Sequence, residues 1–188
     1  MTSLENYNSV ESYSVTLRSK SDDSNEEIRY YYKKPGFVRM EFIKPYKGAV
    51  LVYNPSKKEV RLRPFGVFKS FVLTLNPDNS LIKSSKGHRV DESDIGALLK
   101  VVKRLKDGGK TKASGEENVG NRPVVVVSVE GEKDFTVNGI HRYILWLDKK
   151  TSLPLKVAAY DMQGELIEEV LMDDLQINTG ITEDFFDL

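Results

Sequence analysis

The stretch FVRMEFIKPYKGAVLVYNPSKKEVRLRPF, residues 37–65, constrains the fold more than any other part of the chain. Val38, Met40 and Phe42 alternate with Arg39 and Glu41, and Val60 and Leu62 alternate with Arg61 and Arg63. A period of two puts one set of side chains on each face of a pleated strand, so each run reads as a half-buried β-strand. KPYKG and NPSKK between the runs are turns by their Pro, Gly and Asn content. Parallel neighbours need crossovers of about a dozen residues, and these turns are too short, so the strands must be antiparallel.

The same alternation extends upstream. SLENYN suggests a short helix through Leu4 and Tyr7, after which Tyr13, Val15 and Leu17 oppose Ser12, Ser14, Thr16 and Arg18. IRYYYKK puts Ile28, Tyr30 and Tyr32 on one face, and Pro35-Gly36 turns the chain. Residues 10–75 therefore read as an antiparallel meander. Downstream, PVVVVSVEG and HRYILWLDKKTSLPLKVAAYDMQGELIEEVLMDDLQIN give strands over 123–178. DKKTS and DMQG are their turns, with Gly164 suited to a positive φ. Between the two sets, DESDIGALLKVVKRLKDGG is the one strong helix, over 92–107. Asp91 can cap it with Asp94 three residues on, and Gly108 can end it. Ile95, Leu98, Leu99, Val102 and Leu105 form a single apolar stripe, and Lys100, Lys103, Arg104 and Lys106 form a basic back. DGGKTKASGEENVGNR, 107–122, has no periodicity and reads as a long mobile loop. The chain is thus expected to be one α+β domain spanning 1–188.

Composition excludes several functions. The 188 residues contain no cysteine, which removes disulfides, thiol nucleophiles and thiolate metal sites. No apolar run approaches the length of a spanning helix, and the N-terminus shows no signal-peptide pattern. Net charge is zero but uneven: residues 1–110 carry 21 basic against 13 acidic side chains, and residues 111–188 carry 7 against 15. Strands of the two halves balancing each other account for this, and a basic surface for an acidic partner or anionic lipid is the sharper reading.

Catalytic patterns fail one by one. GGKT at 108–111 lacks the first glycine of a phosphate loop, Arg104 standing in its place, and it follows a helix instead of a strand. His88 and His141 have no second ligand at metal spacing. Glu168–Glu169 and Asp173–Asp174 are neighbours in sequence, so on a strand they point to opposite faces. Tyr and Lys in RYYYKK suggest a stacking platform for nucleic acid, but the neutral total charge opposes it. The chain reads as a non-enzyme with no metal, no cofactor and no nucleic-acid partner.

Three segments together resemble the LolA/LolB superfamily of bacterial lipoprotein carriers and the related N-terminal domain of RseB-type sigma-E regulators. They are LENYNSVESYSVTLRSK, KKPGFVRMEFIKPYKGAVLVYNP and YILWLDKKTSLPLKVAAYDMQGELIEEVLMDDLQINTGITEDFF. The resemblance implies a strongly curved antiparallel sheet, an incomplete β-barrel, with helices packed on its concave face around a hydrophobic cavity. It implies periplasmic binding of a lipid, acyl chain or acylated protein, with membrane contact transient at most and the signal peptide absent from this sequence. On this reading Tyr13, Val15, Tyr30, Tyr32, Val38, Met40, Phe42, Leu62, Leu155 and Val157 form the cavity wall. Ile95, Leu98 and Val102 form the lid. No arginine here matches, residue by residue, the one that latches the lid of the carrier. The alternative is a sensor module that binds an envelope protein through a sheet edge or the 107–122 segment.

Overall fold

The structure, a computed structural model, describes residues 3–21, 24–64, 70–83 and 89–188. Helix α1 (Ser3–Asn8) precedes β1 (Ser12–Ser21), β2 (Ser24–Lys33), β3 (Phe37–Lys44), β4 (Val50–Asn54), β5 (Glu59–Arg63) and β6 (Leu73–Leu75). Helix α2 (Ile95–Asp107) follows, then β7 (Gly109–Val119), β8 (Arg122–Gly131), β9 (Arg142–Asp148), β10 (Pro154–Tyr160) and β11 (Leu166–Ile177). Among the described residues these strands make one open sheet of eleven, ordered β6-β5-β4-β3-β2-β1-β11-β10-β9-β8-β7. The antiparallel sheet expected from the turns is what the chain forms.

The turns explain the short connections. After β4, the Asn54 side chain accepts hydrogen bonds from the Ser56 and Lys57 amides at 3.0 and 3.2 Å. Between β10 and β11 the Asp161 carboxylate does the same for Gln163 and Glu165, and Gly164 sits at φ 82°. Between β9 and β10, buried Asp148 accepts from the Lys150 and Thr151 amides at 2.9 and 2.7 Å and from Arg122 Nε at 2.9 Å. Burial works against the Asp148 carboxylate, yet the Thr151 and Arg122 hydrogen bonds hold its pKa below the usual range.

The residues divide into two compact units, each discontinuous in sequence. Unit 1 comprises 1–9, 19–23 and 95–172; unit 2 comprises 10–18, 24–94 and 173–188. In unit 1, α2 packs against β8, β7 and α1. Ile95, Leu99 and Leu105 of its stripe are buried and Leu98 and Val102 half-buried, while Lys100, Lys103, Arg104 and Lys106 are exposed as expected.

Two expectations need correction. The segment 107–122 is not a loop: Gly109–Val119 is strand β7, paired with β8 from Gly109↔Gly131 to Val119↔Arg122. It carries no apolar alternation because Lys110–Asn118 are all exposed, so backbone pairing alone makes the strand. The helix also begins later than expected, at Ile95. Asp91 does not cap it. Asp91 lies in a 3-10 turn, Val90–Glu92, where Arg89 Nε and Nη2 hold its carboxylate at 3.0 and 2.8 Å. The Arg89 hydrogen bonds lower the Asp91 pKa.

Candidate functional site

In unit 2 the register aligns the apolar sets of five strands into rows across the sheet. One row runs Tyr30↔Met40↔Leu51↔Leu62↔Leu73, from β2 to β6. The next runs Tyr32↔Val38↔Tyr53↔Val60↔Leu75. Ile28 and Phe42 pair on the other side of the first row. Direct cross-strand partners share a face, so these twelve side chains cover one face of β2–β6. Five strands about 4.8 Å apart make each five-residue row about 19 Å long.

Burial is graded across the rows. In the second row Tyr32, Val38, Tyr53 and Val60 are all at or below 8% exposed, and Leu75 at its β6 end is half-buried. In the first row Tyr30 and Leu51 are buried, but Met40, Leu62 and Leu73 are half-buried, as are Ile28 and Phe42 beyond it. Tyr46 lies edge-on to Phe42 with centroids 6.1 Å apart and is 65% exposed. The apolar face therefore emerges toward solvent on the Ile28–Phe42 side.

Aromatic stacking fixes the deep end. Tyr13 of β1 stacks on Tyr30 at 5.9 Å and on Tyr32 at 5.1 Å between centroids. The Tyr30 hydroxyl meets Ser93 Oγ at 3.1 Å, and Ser93 donates onward to the Val90 carbonyl at 2.7 Å. Burial pushes the Tyr30 hydroxyl far above the ordinary tyrosine value, so it stays a donor. With Tyr30 and Tyr32 this buried, neither ring can stack on a base.

On the opposite face the C-terminal segment covers β3 and β4. Phe37, Val50 and Val52 form a small core with Phe186 of the 3-10 turn Glu183–Phe186, and Tyr31, Ile181, Phe185 and Leu188 pack around it. Arg39 Nη1 donates to the Phe185 carbonyl at 2.9 Å, and its guanidinium lies 4.7 Å from the centre of the Phe185 ring. A shallow groove of about 290 Å3 runs beside this segment, lined by Ser14, Tyr31, Gln176 and residues 179–182 and 185.

The thirteen residues expected to line a cavity thus separate by depth and by unit. Tyr13, Val15, Tyr30, Tyr32 and Val38 are buried in unit 2, and Met40, Phe42 and Leu62 are half-buried there. Ile95, Leu155 and Val157 are buried in unit 1, where Leu98 and Val102 are half-buried. Sequence reasoning omitted Leu51 and Leu73, which complete the row. Leu73 and Leu75 flank Thr74 in FVLTL, whereas AVLVY is apolar at every position and gave no sign of which face Leu51 takes.

The chemistry-bearing residues stand apart. His141 Nδ1 lies 3.0 Å from the Phe135 carbonyl, a turn contact. His88 lies outside the described residues. Glu168 accepts from Ser19 Oγ at 2.6 Å, and Glu169 pairs with Lys156 at 2.8 Å. Their β10 partners, Ala159 and Ala158, confirm that they face opposite ways. Among the described residues no three His, Cys, Asp or Glu are placed to hold a metal ion. Among these residues no helix is long and apolar enough to cross a membrane.

Comparisons with known proteins agree on the fold. An uncharacterized conserved protein from Thermus thermophilus is similar with a TM-score of 0.59 and 14% identity, over 98% of this chain and 90% of that one. The lipoprotein LppX of Mycobacterium tuberculosis gives 0.57 at 10% identity, over 98% and 94%. The MucA/MucB complex of Pseudomonas aeruginosa gives 0.53 at 19% identity; this chain is covered to 99% but spans 60% of that chain. No curated protein matches. The resemblance to LolA-like and RseB-type proteins therefore holds for the fold. Residues 10–188 match the model of a family described as "Protein of unknown function (DUF1571)", and the chain belongs to that family.

Proposed function

We propose that this chain is a non-enzymatic binding protein of the bacterial envelope that holds a lipid or acyl chain, free or attached to a protein, against the apolar face of β2–β6. The carrying observation is the graded row: Met40, Leu62 and Leu73 stand half-buried behind Ile28 and Phe42. A core-only face would be closed along its length. Each methylene that moves from water onto such a face contributes about 0.8 kcal/mol, so a long chain needs no specific polar contact. The fold shared with LppX, itself a lipoprotein, and with MucB supports the envelope setting.

Titration with a fluorescent fatty-acid probe tests the reading. Met40→Asp and Leu62→Asp are expected to abolish binding, whereas Lys57→Asp, at an exposed turn, leaves it unchanged. Retained affinity in folded Met40→Asp and Leu62→Asp protein overturns the assignment of the face. The MucA/MucB likeness favours a second reading, in which the occupant is an envelope protein. A chain that ignores the probe yet captures one envelope protein through the same face would select it.

A further inference from the structure

Strand β7 ends the sheet order, so one of its edges has no strand partner among the described residues. Edges of this kind are templates for pairing with another chain, and proteins usually keep them short. This one is eleven residues long, with Lys110–Asn118 exposed throughout.

Its charge is ordered along its length. Lys110 and Lys112 stand at the start, Glu116 and Glu117 toward the end, and the small residues Ala113, Ser114 and Gly115 lie between. The register with β8 assigns each to a face. Lys110, Lys112, Gly115 and Glu117 pair with Glu130, Ser128, Val126 and Val124, alternate residues of β8 and therefore one face. Thr111, Ala113 and Glu116 pair with Val129, Val127 and Val125, the other face. Residues 110 and 117 are an odd number apart and would face opposite ways on a regular strand. The irregularity between Ala113 and Gly115 inserts one residue and brings them to the same side.

We infer that β7 pairs antiparallel with β7 of a second copy of this chain, about a two-fold axis between Ala113 and Ser114. In that register Lys110 meets Glu117 of the other copy, twice by symmetry. Thr111 meets Glu116 and Lys112 meets Gly115, each pair agreeing in face. The central pair is Ala113 with Ser114, small enough for close approach. A symmetric interface requires a self-complementary surface, and the sequence KTKASGEE read against its own reverse supplies one. A parallel arrangement opposes lysine to lysine, and an antiparallel one shifted by two residues pairs Glu117 with Lys112 instead, which exchange at Lys110 distinguishes. Within one copy Glu117 accepts the Trp146 indole N–H from β9 at 2.8 Å and Lys110 lies 3.8 Å from Glu132, so pairing exchanges these exposed contacts for the Lys110–Glu117 pairs.

Sedimentation from micromolar to millimolar protein tests the pairing. The unaltered chain is expected to show a monomer–dimer equilibrium that weakens with salt. Lys110→Glu alone, and Glu117→Lys alone, are each expected to weaken dimerisation by about tenfold or more, because each opposes like charges twice. The double exchange Lys110→Glu with Glu117→Lys restores it. A second readout needs no variant: amide exchange in 109–119 is expected to slow as protein concentration rises. A chain that stays monomeric overturns the inference. So does a dimer indifferent to the single exchanges, one the double exchange does not restore, or one whose β7 amides exchange at a fixed rate.

Discussion

Phe186→Ala separates the two faces of β2–β6. Phe186 is 2% exposed and packs on Phe37, 5.5 Å between centroids, and on Val50 and Val52. Truncating a buried Phe to Ala costs about 3–5 kcal/mol, part of it the cavity left behind. Here the neighbours Phe185, Ile181 and Leu188 are only partly buried, so water or side-chain collapse can fill much of the space. The lower end, about 3 kcal/mol, is therefore expected. For a chain of this size that corresponds to a fall in Tm of about 6–12 °C. Urea unfolding monitored by the single Trp gives the value, and an unchanged slope confirms that the unfolded surface is the same. Because Phe186 covers the face opposite the Met40–Leu62 row, acyl-probe affinity of the folded variant is expected to stay at the original level. A stability loss under about 1 kcal/mol would show that the C-terminal segment is not part of the core. Loss of probe binding in the folded variant would show that the ligand sits on the wrong face for the account given above.

Three further outcomes follow from the same geometry. Saturated fatty acids of increasing length are expected to bind about fourfold tighter per added methylene until the chain outgrows the row, as read by probe displacement; affinity independent of length contradicts an apolar row. Tyr30→Phe removes the contact with Ser93 and is expected to cost about 1 kcal/mol in urea unfolding, without loss of probe binding. Asp148, with a pKa lowered by folding, contributes stability that is present above the ordinary carboxylate pKa of about 3.9 and disappears as pH falls through the folded value. Asp148→Asn is therefore expected to destabilise the protein at neutral pH and to flatten the acid limb of its stability profile; an unchanged limb contradicts the linkage.

Strands that bury one face announced themselves. Tyr30 and Tyr32 against Arg29 and Tyr31, and Val38 to Phe42 against Arg39 and Glu41, lie on β2 and β3 in the expected alternation. Strand β7 gave no such sign, because both of its faces are exposed and only its backbone, paired with β8, records the strand. The helix start was misplaced for a local reason: Arg89, two residues before Asp91, takes the carboxylate that would have capped. Depth was the least legible property. Tyr30 and Met40 are cross-strand partners with the same alternation, yet one is buried and the other half-buried. A period of two reports which face a side chain is on and carries no information about what packs over that face. The role of Phe186 was hidden in the same way, since a closing DFF after Gly180 is compatible with a free tail until its contacts with Phe37 and Val52 are known.

Mass spectrometry of the organic extract of natively purified protein tests the central claim most directly. If the Met40–Leu62–Leu73 row is a ligand surface, a fatty acid or phospholipid should co-purify in near-stoichiometric amount and be lost from the Met40→Asp protein. An empty extract, together with no binding of a fluorescent acyl probe, would contradict the account and leave the face as core alone.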